Sequence, residues 1–227
     1  MGASDLDRRL AEVEALRKRV LNVIPHALRT PVTTFRGLAE ALPAATEAEI
    51  REQITPALRR LAAQAEHLLD DLLIAAGYTT ALPTGPSVSL CVIKMVEAVW
   101  TDVGSPHPLH VDGDRSVKAS APDGALFKML VHVLDNAAKY GDDPRSVIVK
   151  RTGHRVTVVV ANGGDVVPEP GILTEPFFRG EKAVMRSSGM GIGLTVAAAL
   201  AEQACGSLTI SCPSDGGVSV RIELPTT

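Results

Sequence analysis

Apolar residues between Asp5 and Leu42 fall on two lines: Leu6, Val13, Val20 and Ala27 recur every seven residues, and Leu10 and Ile24 form a second line that Arg17 interrupts. Such a repeat keeps both lines on one side of an α-helix, so the pattern predicts a long helix with a coiled-coil seam. Pro43-Ala-Ala-Thr46 breaks the repeat, and Thr46 followed three residues later by Glu49 reads as a capping box that opens a second helix. Along it Ile54, Leu61, Leu68 and Ala75 form one line, and Leu58, Ala65 and Leu72 another. A hairpin of two such helices carries more apolar surface than the pair can hide internally, which predicts dimerisation into a four-helix bundle. The alternative is a hairpin that closes by packing on the C-terminal part of the chain.

Gly77 to Pro86 holds two Gly, two Pro and three Thr and reads as a linker. Beyond it, Val88 to Trp100 suits a short strand running into a helix, and Leu109 to Ser120 a strand pair around Asp112-Gly-Asp114. Asp123 is placed to cap an apolar helix that reaches Tyr140. Val147–Lys150 and Val156–Val160 form a predicted hairpin, Asn162 to Ser188 a long loop, Ile192 to Ala204 a helix, and Leu208–Cys212 with Val218–Leu224 a last hairpin turning at Asp215-Gly-Gly. The predicted organisation is α+β: a dimerising helical hairpin at 5–76, a linker at 77–86, and an α/β sandwich at 87–227.

A length of 227 residues accommodates two modules, each with its own core. The formal net charge of -3 provides no general attraction for nucleic acid or anionic lipid. Cys91, Cys205 and Cys212 have neither disulfide nor zinc-ligand spacing, which fits a reducing cytoplasmic setting. No apolar run is long enough to span a bilayer, so any membrane attachment would come through segments outside this sequence.

The chemistry concentrates in two places. Gly189-Met190-Gly191-Ile192-Gly193-Leu194 sets three glycines at alternate positions before a helix. Glycine lets the backbone approach a ligand closely, and a helix N-terminus offers unpaired N–H groups, so the segment suits phosphate. It is not a dinucleotide fingerprint, because no strand leads directly into it. On the helix ending at Tyr140, spacing brings Asn136, Lys139 and Tyr140 toward one face. Amide oxygen, ammonium and phenol there suit Mg²⁺, phosphate and a nucleotide.

Together these segments resemble the ATP-binding domain of histidine kinases, in the superfamily of gyrase, Hsp90 and MutL. Asp123 to Tyr140 resembles the N-box, Asn162-Gly-Gly164 the first glycine box, Pro176-Phe-Phe-Arg179 the F-box and Gly189 to Leu194 the second glycine box. His26-Ala-Leu-Arg29-Thr30-Pro31 resembles the phosphoacceptor H-box, so the resemblance covers nearly the whole chain. It implies a homodimeric kinase core that uses ATP and Mg²⁺ to phosphorylate His26 and passes the phosphoryl group to an Asp of a response-regulator receiver domain. It further implies that Asn136 holds Mg²⁺. Lys139, Tyr140, Asn162, Gly164, Arg179 and Gly189 to Leu194 would contact the nucleotide, residues 165–188 would form a lid, and Thr30 would serve dephosphorylation of the partner.

Four positions depart from the family pattern. Ala27 replaces the acid after the phosphorylated His, a proton acceptor worth roughly 10²- to 10⁴-fold in rate. Pro25 removes a helix N–H beside it. His132 takes the first N-box position, usually Asn. Ala161 is expected to stand where the family has the Asp that binds the adenine amino group. Two readings of activity therefore stay open: a working kinase, or a degenerate one serving as phosphatase or docking platform. A different ATPase of the superfamily is disfavoured by the H-box hairpin.

Overall fold

The computed structural model describes residues 24–25, 28–167, 169–180, 189–214 and 216–226. His26, Ala27 and the heptad positions before Ile24 lie outside the described residues, as do residue 168 and residues 181–188 of the expected lid and Asp215. Contacts divide the chain into two units, Met1–Leu72 and Leu73–Thr227.

In the first unit, residues 28–41 are helical (α1) and end in a 3-10 turn at Leu42–Ala44. The capping box is formed: the Thr46 hydroxyl accepts from the Glu49 N–H at 3.3 Å, and the Glu49 carboxylate accepts from the Thr46 N–H at 2.8 Å. From this cap one continuous helix, α2, runs through Glu47–Glu49, a π-helical stretch at Ile50–Ile54 and Thr55–Ala75. Its two predicted apolar lines are its shielded positions. Ile54, Leu72 and Ala75 are buried and Leu58, Leu61, Ala65 and Leu68 half-buried, while Arg59, Arg60, Gln64 and Glu66 are exposed. On α1, by contrast, Leu28, Val32, Phe35 and Leu42 stand exposed at helical spacing.

The second unit is a two-layer α/β sandwich. Its main sheet has five strands in the order β2 (His110–Gly113), β4 (Asp142–Thr152), β5 (Arg155–Gly163), β7 (Val218–Pro225), β6 (Ser207–Ser211). All neighbours are antiparallel except β2 and β4. A small sheet pairs β1 (Ser87–Cys91) with β3 (Lys118–Pro122). Three helices, α3 (Val92–Val103), α4 (Ala125–Tyr140) and α5 (Gly193–Gln203), supply the second layer. Alternate strand residues face it: Val147 and Val149, Val156, Val158 and Val160, and Val220, Ile222 and Leu224 are buried with Leu126, Met129, Leu130 and Leu134 of α4. Burying each such side chain contributes roughly 1.5–3 kcal/mol, which fixes strand parity and the orientation of α4.

Two local expectations are corrected. The strands on either side of Asp112-Gly-Asp114 do not pair with each other: β2 joins β4 in parallel and β3 joins β1. Asp123 does not cap α4; Gly124 holds the N-cap position in the left-handed conformation at φ 78°, with no side-chain cap. Glycine reaches that conformation without the Cβ penalty, so the chain turns into α4 through backbone freedom. The central hairpin is formed, turning at Gly153-His154, and its strands extend further than the apolar runs alone suggest.

Candidate functional site

Helix α4 organises the site. Asn136 and Tyr140 are half-buried on it and Lys139 is exposed. The Lys139 ammonium lies 2.7 Å from Asp135 Oδ2, an exposed i,i+4 pair. Such a pair is worth about 0.3–0.5 kcal/mol, so a phosphate would displace it at little cost. One turn before Asn136, the His132 ring lies against Gly193: a Cβ placed on that glycine would stand 3.3 Å from Nδ1. At the other end, Gly141 touches Asn162, whose Cγ would be 2.5 Å from a Cβ there. Nine residues separate His132 from Gly141, so the two contacts are about 14 Å apart along the axis at 1.5 Å per residue. The first glycine box and the second thus meet α4 at its opposite ends, the second at His132 and the first at the C-cap Gly141.

Each box is shaped by close backbone approach. Gly191 has φ 72°, and a Cβ on it would strike the Phe178 carbonyl and come within 2.9 Å of Arg179 Cγ. The F-box is thereby stacked on the second glycine box. Phe177 is buried with φ 63°, a conformation that costs a non-glycine residue roughly 1–3 kcal/mol and persists where the surroundings enforce it. Upstream, the Thr195 hydroxyl of α5 donates to the Thr174 carbonyl at 2.8 Å and ties the start of that segment to the same helix. Met190 is half-buried, and Ile192 and Leu194 are buried, so these two anchor the loop from below, with the glycines of the box half-buried. Gly164, at φ 142°, lies beside Asn162 and Gly217.

Strand parity revises one assignment. Asn162 follows Val156, Val158 and Val160 on the face of β5 that meets the helices, whereas Ala161 lies between Ser146 and Ser219 on the opposite face. At this end of β5 the side chain on the helix-facing side is therefore that of Asn162 and not that of Ala161. The Asn162 amide Nδ2 donates to the Gly163 carbonyl at 2.6 Å.

Arg145 escaped sequence reasoning. It is 4% exposed, the one buried charged residue among those described. Its Nε donates to the Ala137 carbonyl at 3.0 Å, its Nη2 to the Gly141 carbonyl, and its Nη1 pairs with Asp143. These carbonyls belong to the C-terminal end of α4, where a cation complements the helix dipole. The available signal was parity: Arg145 is in phase with Val147 and Val149 on the core face of β4.

Of the remaining expected residues, Arg29 and Thr30 are exposed on α1, and the Thr30 carbonyl accepts from the Thr34 hydroxyl at 3.0 Å. His26 lies outside the described residues. Among the described residues no three His, Cys, Asp or Glu side chains cluster as metal ligands, and no helix is long and apolar enough to cross a membrane. Magnesium bound with a nucleotide takes one or two protein oxygens and completes its shell with phosphate and water, so the lone Asn136 amide is a fitting donor set.

Comparison with known proteins agrees with this layout. Residues 16–76 match the family model described as His Kinase A (phospho-acceptor) domain, and residues 123–227 the one described as histidine kinase-, DNA gyrase B-, and HSP90-like ATPase. The signal transduction histidine-protein kinase AfsQ2 of Streptomyces coelicolor is 25% identical over 98% of this chain and 45% of its own length. The sensor protein kinase CarS of Pseudomonas aeruginosa is 30% identical over 95% of this chain and 48% of its own. The chain therefore spans under half the length of these relatives. Among solved structures, the Acinetobacter baumannii histidine kinase AdeS superposes with a TM-score of 0.57 at 17% identity, covering 89% of this chain and 98% of that one, and so shares the fold. With a phosphoacceptor domain followed by this ATPase domain, and with relatives named as histidine kinases, the chain belongs to the sensor histidine kinases.

Proposed function

We propose that this chain is a kinase core that binds Mg·ATP along α4, phosphorylates His26 and passes the phosphoryl group to an Asp of a response-regulator receiver domain. The observation that supports the reading is that both glycine boxes meet α4, the second at His132 and the first at its C-cap Gly141. Asn136 holds Mg²⁺, Lys139 and Tyr140 meet phosphate and nucleotide, and the backbone of Gly189 to Gly193 cradles the phosphates, with Arg179 over Gly191. Charge neutralisation and positioning of this kind supply most of the rate in phosphoryl transfer. Asn162 accepts a hydrogen bond from the adenine amino group. A neutral acceptor contributes about 0.5–1.5 kcal/mol against roughly 1.5–3 for a carboxylate, so nucleotide binding is weakened and retained.

In the transfer a ring nitrogen of neutral His26 forms the bond to the γ-phosphorus as the bond to the β–γ bridging oxygen breaks and ADP departs. An unperturbed imidazole is largely neutral at pH 7, its pKa being about 6.5. With Ala27 beside it, the ring proton leaves to solvent and not to a neighbouring carboxylate, which slows the step. The organisation we propose is a dimerisation and phosphoacceptor hairpin at 5–76, a linker at 77–86 and the catalytic domain at 87–227, acting in the cytoplasm. Exposed Leu28, Val32, Phe35 and Leu42 on α1 support a homodimer. Arg29 and Thr30 are exposed on the same helix, which supports a contact with a receiver domain in which the Thr30 hydroxyl would orient water for dephosphorylation.

The test is incubation with γ-labelled ATP and Mg²⁺, which should give an acid-labile, alkali-stable phosphoprotein that His26→Gln abolishes. Absence of label at millimolar ATP in the folded protein would refute the kinase reading. The second reading, a phosphatase or docking platform, is favoured by Ala27 together with a retained Thr30, and predicts dephosphorylation of a receiver domain without self-labelling.

A further inference from the structure

We propose that Arg145 is a positioning residue for base recognition: its guanidinium fixes the end of α4 and the entry of β4 against which Asn162 is held. The inference rests on the nucleotide-site reading above. Arg145 and Asn162 are direct partners in the β4–β5 register, and the β4 strand is irregular just before them, between Asp142 and Arg145. The segment so displaced, Gly141 to Pro144, forms the wall of the first glycine box. Gly141 meets the Asn162 side chain, and a Cβ on Gly163 would lie 2.8 Å from the Asp143 carbonyl.

Three donors of one guanidinium converge on this wall. Nε takes the Ala137 carbonyl, which also accepts from the Gly141 N–H at 3.1 Å; Nη2 takes the Gly141 carbonyl; Nη1 takes Asp143, whose other oxygen lies 3.5 Å from His107 Nδ1. The planar fork of arginine matches this set, and a lysine ammonium does not. Stability alone gives little reason for it, because a buried charge network is often no more stabilising than apolar side chains of the same volume. What the network does is hold Gly141 in place under Asn162. With one Nδ2 hydrogen held by the Gly163 carbonyl, the Asn162 amide is fixed in orientation, and an Oδ1 so presented accepts from a base bearing an exocyclic amino group better than it tolerates one bearing a carbonyl there. Arg145 thereby sets adenine against guanine without touching either.

The experiment titrates the full chain calorimetrically with Mg·ADP and Mg·GDP for wild type, Arg145→Met and Arg145→Lys, with folding checked by circular dichroism. Wild type should prefer ADP. Both variants should weaken ADP binding about tenfold, as expected for one mispositioned hydrogen bond, and leave GDP nearly unchanged, so that the preference collapses. A uniform structural loss would lower both affinities together. An ADP-to-GDP ratio equal to wild type in either folded variant overturns the positioning role, and Arg145→Lys decides if Arg145→Met does not fold. If wild type binds neither nucleotide at millimolar concentration, the nucleotide-site reading falls and the positioning role with it. Wild-type ADP preference with unchanged variants overturns the positioning role alone.

Discussion

Gly191 and Gly193 belong to the same box, and the structure assigns them opposite sensitivities to an added methyl group. Gly191 sits at φ 72°, where an alanine pays about 1–2 kcal/mol for the left-handed conformation. Its Cβ would also meet the Phe178 carbonyl, a backbone atom that moves only if the F-box moves. The conformational term alone reduces the population of the native loop by roughly 5- to 30-fold at 1.4 kcal/mol per decade. Gly193 opens α5 with no positive φ, and a Cβ on it meets only the His132 ring, at 3.3 Å. That ring can yield by a few tenths of an ångström, and alanine gains up to about 1 kcal/mol in helix propensity over glycine. Gly191→Ala should therefore raise the Kd for ADP at least about fivefold, and Gly193→Ala should leave nucleotide-free thermal stability equal or higher. Calorimetric titration and differential scanning calorimetry on both variants measure this. Equal ADP affinity in Gly191→Ala and wild type would show that the loop does not need the left-handed turn, and would refute the stacking of the F-box on the glycine box.

Two further outcomes are expected. Val32 is 63% and Phe35 58% exposed on α1, so Val32→Glu with Phe35→Glu should convert a dimer to a monomer in analytical ultracentrifugation while helix content measured by circular dichroism is kept; a dimer that survives both charges places the subunit contact elsewhere. The Glu49 carboxyl is held below its ordinary value of 4.5 by the Thr46 N–H first and the Thr46 hydroxyl second. A depressed folded-state pKa gives stability that is full above the ordinary value and lost as pH falls through the folded one. Protection of the amides at the start of α2, taken relative to their intrinsic exchange rate, should thus fall below about pH 4.5, and Glu49→Gln should flatten that dependence.

The helical part was readable because a period of 3.5 has one geometric meaning. The lines through Ile54 and Leu58 predict which positions of α2 are shielded, and the capping box needs only residues three apart. Pairing between strands is another matter. Alternation in Val111 and in Ala119 and Ala121 marks strands without saying which neighbour each takes, and the choice is made by helices that cover one face of the sheet. β2 and β3 were for that reason assigned to each other, although the sandwich separates them into different sheets. Asp123 was preferred as a cap on side-chain chemistry, yet the turn into α4 needed a positive φ, which only its neighbour Gly124 supplies without strain.

The site itself turned on a single residue of parity. Counting the first glycine box by its glycines put Ala161 at the base; counting β5 by its valines puts Asn162 there. The second count is the physical one, since a shift of one residue would carry Val156, Val158 and Val160 out of the core at a cost of several kcal/mol. The same count applied to β4 places Arg145 among valines, where a charge is tolerated only if its donors are met. Asn162 and Arg145 are register partners, so the one position that motif matching passed over, Arg145, is adjacent across the ladder to one that it named. In this chain the hydrophobic pattern of the strands therefore carries information that the glycines of the motif do not, because burial fixes which side chains of β4 and β5 turn toward the helices.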